Sequence, residues 1–232
     1  MKCAVVSFPG SNGDMDAVYA LSDVLGTPAE RVWRTESDLS RFDAVVLPGG
    51  FSYGDYLRAG AIARFAPVMD AVTEFAAAGR PVLGICNGFQ VLTEAGLLPG
   101  VLMRNAALQF RSRWVHIRVE RTETAWTADV PNGAILRLPI AHGEGRYVVD
   151  VETLRHLEVN RQIVFRYCTS TGASTPDADP NGATAHIAGV CNPAGNVVGL
   201  MPHPERGAEA LIGGDDGVMI LRSVLVASGV AR

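Results

Sequence analysis

Residues 81–94, Pro-Val-Leu-Gly-Ile-Cys-Asn-Gly-Phe-Gln-Val-Leu-Thr-Glu, are the stretch that decides the fold. The apolar run Pro81–Ile85 predicts a buried strand, and the residues after Cys86 predict a helix through Glu94. Between them, Gly84-Ile85-Cys86-Asn87-Gly88 has the Gly-x-nucleophile-x-Gly form of a sharp strand-to-helix turn. Glycine is expected on both sides because such a strained turn leaves no room for Cβ atoms two residues from the nucleophile.

The turn makes Cys86 a candidate nucleophile. Its sulfur would project at the carboxyl edge of a sheet, beside the N-terminus of a helix, and that position favours the thiolate. The competing interpretation is a buried cysteine that only packs, which is common in proteins. The chemical interpretation therefore requires a base and an oxyanion site elsewhere in the chain.

Apolar strands alternate with amphipathic helices through the first half of the chain. The pattern predicts strands at Cys3–Phe8 and Asp43–Leu47 and helices at Asp14–Leu25 and Ile62–Ala78. Unbroken apolar strands that alternate with helices imply a parallel sheet covered on both faces.

The second half of the chain differs in its pattern. Alternating residues predict three half-exposed strands, two further runs are mainly apolar and predict strands, and a closing helix follows. These are Trp114–Glu120, Ile135–Ile140, Tyr147–Val151, Ile163–Tyr167, Val197–Met201 and the helix Gly217–Ser228. Segment 172–184 reads as a loop, and no linker or repeat divides the chain. We expect one α/β domain over residues 1–232, with a mostly parallel central sheet flanked by helices and a small antiparallel addition.

Composition excludes several classes of function. The 232 residues are 48% hydrophobic and carry a net charge of −4, so the basic excess typical of nucleic-acid binding is missing. The apolar N-terminal run is too short for a signal peptide or a membrane span. Four cysteines are scattered without CxxC spacing or a Cys/His cluster, which argues against a metal site or a disulfide framework. A cytoplasmic protein without a metal is expected.

A candidate base lies 117 residues after Cys86, in Met201-Pro202-His203-Pro204-Glu205. A catalytic thiol needs a base to take its proton, and the base needs an acceptor that fixes its tautomer. His203 and Glu205 offer both groups on one stiff segment. Taken alone, a histidine at a strand end is more often structural. The prediction that His203 is the base therefore rests on its occurrence together with the turn at Cys86.

Candidate oxyanion donors come from two places. The backbone N–H of Asn87 follows the nucleophile, and Leu47-Pro48-Gly49-Gly50-Phe51 is a glycine-rich loop after a strand. Acyl transfer requires backbone N–H groups aimed at the developing oxyanion, so Gly50 and Phe51 are the second set of candidates. The alternative is an ordinary turn at a strand end.

Together and in this order, these three segments resemble the class I (triad) glutamine amidotransferases. That family has a strand ending in Gly-Gly, an elbow Gly-x-Cys-x-Gly-x-Gln and a late His-Pro-Glu, and the elbow glutamine is Gln90 here. The resemblance implies a flavodoxin-like fold in which Cys86 attacks the side-chain amide of glutamine. It further implies that His203 shuttles the proton, Glu205 orients His203, and Gln90 lies near the bound glutamine.

Longer blocks are similar to one branch of that family, the glutaminase subunits of phosphoribosylformylglycinamidine synthases. They span the chain almost end to end: Phe8–Asn12, Gly50–Asp55, Gly84–Gln90, Pro139–Gly145 and Met201–Arg206. The resemblance implies that His142, Gly143 and Glu144 line the glutamine pocket or face a partner. It implies a large synthetase subunit and a small bridging subunit as partners. ATP and Mg are expected on the synthetase, because this chain has no Walker A motif and no cofactor of its own is implied.

Two alternatives stay open. A cysteine hydrolase of the protease or chaperone type shares the elbow but typically has histidine directly after the nucleophile, where this chain has Asn87. A catalytically inactive binding subunit is the other alternative, and the presence of Cys86, His203 and Glu205 argues against it. We also expect weak activity from the isolated chain, because the loop that carries Gly50 belongs to a class of loops that move.

Overall fold

The structure is a computed structural model that describes residues 1–229. Eleven strands and five α-helices make up the framework of this part of the chain. They are β1 Cys3–Ser7, α1 Asp14–Tyr19, β2 Ala29–Trp33, β3 Ala44–Leu47, α2 Pro67–Ala77, β4 Val82–Ile85, α3 Asn87–Glu94, β5 Val101–Met103, β6 Arg111–Val119, β7 Ile135–His142, β8 Arg146–Val148, α4 Val151–Val159, β9 Ile163–Cys168, β10 Ile187–Cys191, β11 Val197–Leu200 and α5 Gly217–Ala227.

A nine-stranded sheet in the order β2-β1-β3-β4-β11-β10-β9-β6-β7 runs through the molecule. Neighbours from β2 to β11 are parallel, and neighbours from β11 to β7 are antiparallel. Strands β5 and β8 form a separate antiparallel pair. The predicted α/β fold is confirmed, and most of the antiparallel addition continues the main sheet.

The central parallel strands are buried along their whole length, because helices cover both faces of the sheet. Every residue of β1, β3, β4 and β11 is buried. By contrast, β6 and β7 alternate between buried and more exposed residues toward the other edge. The continuous apolar runs predicted the buried strands, and the alternating runs predicted the half-exposed ones.

Some predicted boundaries were wrong for local reasons. The helix predicted over Ile62–Ala78 begins only at Pro67, since proline has no N–H for a helix interior and holds the preceding Ala66 extended at ψ 142°. The strand predicted over Tyr147–Val151 ends at Val148. Helix α4 follows because Asp150 caps it, with its Oδ1 accepting from the N–H of Thr153 at 2.7 Å.

The helix predicted over Asp14–Leu25 becomes π-helical after Tyr19, from Ala20 to Val24. The sequence analysis also missed four elements: α4 and the strands β2, β5 and β10. Within β2 only Val32 is buried, so this edge strand carries no apolar pattern. Among residues 1–229, no helix is long and apolar enough to cross a membrane.

Register brings the three chemical segments to one edge of the sheet. Leu47 of β3 pairs with Gly84 of β4, and Ile85 of β4 pairs with Leu200 of β11. Because these strands are parallel and adjacent, the residues that follow them leave the sheet side by side. The glycine loop, Cys86 and His203 therefore meet at the carboxyl edge.

Candidate active site

The turn at Cys86 is a strained elbow between β4 and α3. Cys86 has φ 50° and ψ −104°, a backbone conformation that costs energy for a residue with a side chain. A Cβ added to Gly84 would lie 2.8 Å from the backbone of Gly88, and one added to Gly88 would lie 1.9 Å from the carbonyl oxygen of Leu47. Glycine is therefore required at both positions, for the steric reason that the sequence predicted.

His203 and Glu205 form a buried pair beside the thiol. The Nδ1 of His203 and the Oε1 of Glu205 are 2.5 Å apart, and both residues are almost inaccessible to solvent. The backbone N–H of His203 donates to the carbonyl of Pro139 at 2.9 Å, which fixes the segment against β7. A carboxylate accepts only from a protonated Nδ1, so the Nε2 nitrogen is left for the thiol.

Cys86 and His203 both lie close to Gly49. A Cβ at this position would lie 2.6 Å from Cε1 of His203 and 3.6 Å from the Cβ of Cys86. Burial by itself lowers the pKa of His203, but the charges of Glu205 and of the Cys86 thiolate outweigh it and raise that pKa above its ordinary value. The arrangement therefore favours a protonated, positively charged His203 beside the sulfur of Cys86.

A cavity of about 400 Å³ opens in front of Cys86. It is large enough for an amino acid. The lining combines polar and charged side chains with the phenyl rings of Phe51 and Phe110. Its lining consists of Asn12, Gly50, Phe51, Asp55, Cys86, Gln90, Phe110, Ala141, His142, Gly143, Glu144, His203 and Arg206.

The candidate oxyanion donors are not equally available. The N–H of Phe51 donates to the carbonyl of Gly10 at 3.1 Å and is therefore occupied. Within residues 1–229, no backbone carbonyl accepts from the N–H of Gly50. Asn87 begins α3, and N–H groups in a first helical turn have no partner inside the helix. In this conformation Gly50 and Asn87 have open N–H groups, and Phe51 does not.

Gln90 connects the elbow helix to the loop after β7. Its Nε2 donates to the carbonyl of Glu144 at 2.6 Å, and its Oε1 accepts from Nδ2 of Asn87 at 2.9 Å. Gln90 is thus held in place by its own contacts at the wall of the cavity, one helical turn from Cys86. The predicted substrate residues His142, Gly143 and Glu144 lie on the facing wall.

Asn105, which the sequence analysis missed, organises that facing loop. Its Oδ1 accepts from the N–H of Gly145 at 3.0 Å, and its Nδ2 donates to the carbonyls of His142 and Gln109. The same Oδ1 lies 3.1 Å from Nδ1 of His142, which must therefore carry the proton. The Nε2 of His142 is then an acceptor, buried and without a partner among residues 1–229.

Segment 172–184, which had no predicted role, supports the same loop through Asn181. The Nδ2 of Asn181 donates to the carbonyl of Gly145 at 2.8 Å and lies 3.3 Å from the hydroxyl of Tyr167. Asp179 accepts from the N–H groups of Asn181 and Gly182, which closes a tight turn. No sequence motif marks Asn105 or Asn181, because their partners are backbone groups that the fold brings together.

Fold and site together define a hydrolase of the triad class, with cysteine, histidine and glutamate at the carboxyl edge of an α/β sheet. Comparison with known proteins narrows this class. A family model described as the CobB/CobQ-like glutamine amidotransferase domain matches residues 1–212.

The chain is 65% identical over 225 residues to phosphoribosylformylglycinamidine synthase subunit PurQ of Thermomicrobium roseum, covering 97% of this chain and 95% of that protein. It is 56% identical over 225 residues to the PurQ subunit of Moorella thermoacetica, with the same coverage. A chain in the structure of PurLQS from Thermotoga maritima superposes with a TM-score of 0.86 at 42% identity, covering 98% of both chains. This chain belongs to the glutamine amidotransferase family, in the branch of the PurQ subunits of phosphoribosylformylglycinamidine synthase.

Proposed function

We propose that this chain is a glutaminase subunit that hydrolyses L-glutamine to glutamate and ammonia and delivers the ammonia to a synthetase. The observation that carries the proposal is the position of Cys86. Its elbow places the thiol against the His203–Glu205 pair, in a cavity that Gln90 and Glu144 also line.

The chemistry proceeds in two balanced steps. The thiolate of Cys86 attacks the side-chain amide carbon of glutamine, and the carbonyl oxygen becomes an oxyanion. The imidazolium of His203 gives its proton to the departing nitrogen, so ammonia leaves and a glutamyl thioester remains. Water then attacks the thioester while His203 takes its proton. Collapse breaks the carbon–sulfur bond, releases glutamate and restores the Cys86 thiolate beside the protonated His203.

Glu205 orients His203 and stabilises the imidazolium, because its carboxylate is buried 2.5 Å from Nδ1. We assign the N–H groups of Asn87 and Gly50 to the oxyanion. Phe51 is able to contribute only after its bond to the carbonyl of Gly10 opens. That bond supports the expectation that the isolated chain is weakly active and that a partner completes the oxyanion site.

The destination of the ammonia follows from family membership. The relatives are named as subunits of phosphoribosylformylglycinamidine synthase, and the similar Thermotoga maritima chain comes from a PurLQS assembly. We propose the same arrangement here: a large synthetase subunit that binds ATP and Mg, a small bridging subunit, and formation of formylglycinamidine ribonucleotide from formylglycinamide ribonucleotide in purine biosynthesis. This chain itself is proposed to need no cofactor. The four cysteines, all free, support a cytoplasmic location.

Glutamate release tests the proposal. The chain is assayed alone and with its synthetase and bridging partners, as wild type, as Cys86→Ala and as Cys168→Ala, a control at another buried cysteine. Activity that rises with partners, vanishes in Cys86→Ala and persists in Cys168→Ala is the expected result. If folded protein with competent partners releases no glutamate under any condition, the glutaminase proposal is wrong. The remaining interpretations would be an inactive binding subunit or another cysteine hydrolase.

A further inference from the structure

Two carboxylates line the cavity, and neither has a close, buried cationic partner among residues 1–229. Asp55 and Glu144 both contribute to its wall, near Gln90. Among residues 1–229, no lysine, arginine or histidine lies within salt-bridge distance of Asp55, and Arg58 pairs instead with Glu94 at 2.7 Å. Glu144 has only Arg104, 3.6 Å away and 78% exposed. Asp55 therefore has no ion-pair partner among residues 1–229, and the one partner of Glu144 is mostly exposed.

The two carboxylates oppose each other electrostatically. Burial, followed by the charge of Glu144, raises the pKa of Asp55 to about 6, and a hydrogen bond from Asn87 only partly offsets them. A cation placed between the two carboxylates would relieve this repulsion and hold both ionised. This repulsion between two carboxylates of the cavity lining favours a positively charged ligand there.

The backbone that carries Asp55 is also unusual. Tyr53, Asp55 and Leu57 have φ values of 54°, 53° and 71°, in the left-handed region that side chains rarely adopt. Such strain persists only where surrounding contacts impose it, and it concentrates at functional sites. Here Nδ2 of Asn87 lies 3.3 Å from Oδ1 of Asp55 and the N–H of Ser52 donates to Oδ1 of Asn87, so the strained loop is tied to the elbow.

The ligand chemistry selects an ammonium group over a metal ion. Within the described residues, no group of three or more histidine, cysteine, aspartate or glutamate side chains is arranged to hold a metal. Two carboxylates and the amide of Gln90 line this part of the cavity, and carboxylates accept hydrogen bonds from an ammonium group. In glutamine the α-nitrogen is four bonds from the side-chain amide carbon, so a glutamine whose amide carbon lies at Cys86 extends into the cavity that Asp55, Gln90 and Glu144 also line.

We infer that Asp55, together with Glu144, binds the α-ammonium group of the amino-acid substrate and so selects an amino acid over a plain amide. This inference rests on the proposed glutaminase function and adds the residue that determines its specificity. Asp55 lies in the Gly50–Asp55 block, but its residue type and spacing alone gave it no role. Its place in the lining of the same cavity as Glu144 supplies that role.

The test separates ammonium recognition from a structural role. In the complete complex, kcat/KM is measured for L-glutamine, and an inhibition constant is measured for 4-carbamoylbutanoate, which is glutamine without its α-amino group. Asp55→Asn is expected to lower kcat/KM for glutamine about 10- to 100-fold and to change the inhibition constant less than about 3-fold. Asp55→Glu, which keeps the charge, recovers part of the loss, and Asp70→Asn, an exposed acid on α2, behaves as wild type.

Equal weakening of both molecules would show that Asp55 acts only by supporting Asn87, and that result overturns the inference. Unchanged kcat/KM for glutamine in Asp55→Asn overturns it as well. If Asp55→Asn does not fold, Glu144→Gln must show the same selective loss, and a non-selective loss there contradicts the inference. The wild-type complex is measured in the same assay. If it releases no glutamate, the glutaminase proposal itself has failed, whatever the variants do.

Discussion

Oε1 of Glu205 lies 2.5 Å from Nδ1 of His203, and neither side chain is accessible to solvent. This contact fixes the ring so that its other nitrogen faces Cys86. It also supplies the negative charge that raises the pKa of His203 against the effect of burial. In the proposed mechanism the reactivity of the thiol therefore depends on Glu205, a carboxylate that is not part of the cavity lining.

Replacing Glu205 with glutamine is expected to lower kcat/KM for glutamine hydrolysis about 100-fold or more, with folding intact. The amide has nearly the shape of the carboxylate but lacks its charge, so it neither stabilises the imidazolium nor enforces one tautomer. Steady-state kinetics in the complex measure the effect. The matched control is Glu209→Gln, an acid four residues away outside the cavity. Equal activity of wild type and Glu205→Gln would remove Glu205 from the mechanism.

Gly88→Ala is expected to destabilise the fold by about 3 kcal/mol or more, since the new Cβ would sit 1.9 Å from the carbonyl oxygen of Leu47 in the core. Gly96→Ala is the control. Gly96 has φ 72°, and nothing lies within 4 Å of an added Cβ, so its substitution lowers stability by only about 1 kcal/mol through backbone strain. Urea unfolding compares the two variants. A Gly88→Ala loss no larger than that of Gly96→Ala would contradict the packing at the elbow.

His142→Gln is expected to remove part of the acid sensitivity of the fold. Burial, aided by the charge of His203, lowers the pKa of His142 to about 4, below the ordinary value of 6.5. Between these two values the unfolded chain binds the proton and the folded chain does not, so stability falls as the pH drops from 6.5 toward 4.

From pH 6.5 to pH 5 this amounts to about 1.5 kcal/mol that the wild type loses and His142→Gln keeps. Free energies of unfolding at both pH values measure the difference. His156→Gln, on an exposed face of α4, is the control and should follow the wild type. The same pH dependence in His142→Gln and wild type would show that His142 is not held neutral.

Asn105→Ala is expected to raise KM for glutamine about 10-fold with a smaller change in kcat. The substitution leaves the N–H of Gly145 and Nδ1 of His142 without their acceptor, so the loop that faces Gln90 loses its shape. Substrate kinetics give the two constants, and Asn160→Ala at the exposed end of α4 is the control. A fall in kcat at constant KM would place Asn105 in the chemical step instead.

Sequence and structure agree best where local chemistry is decisive. The elbow at Cys86 was predictable because a tight turn requires glycine at positions 84 and 88, where a Cβ would clash with neighbouring atoms. The parallel core followed from its unbroken apolar strands. Predictions were poorer where tertiary contacts decide. Edge strand β2 has one buried residue, and the role of Asn105 depends on backbone groups about 40 residues away in the chain.

The same limit applies within the site. The glycine loop marked Gly50 and Phe51 equally as donors, but pairing with residues 10–12 leaves one N–H open and occupies the other. Asp55 acquires its character from Glu144, 89 positions further along the chain, and no local pattern records that approach. Side chains that act through a distant charge or a distant carbonyl are the ones that a sequence alone does not disclose.

The most direct measurement is the mass of the intact chain after rapid acid quenching of a reaction with L-glutamine in the complex. The account predicts a glutamyl adduct that peptide mapping places on Cys86, and no adduct in Cys86→Ala. An adduct on another residue would contradict it. So would glutamate release that continues undiminished in Cys86→Ala, because the thiol would then not carry the reaction.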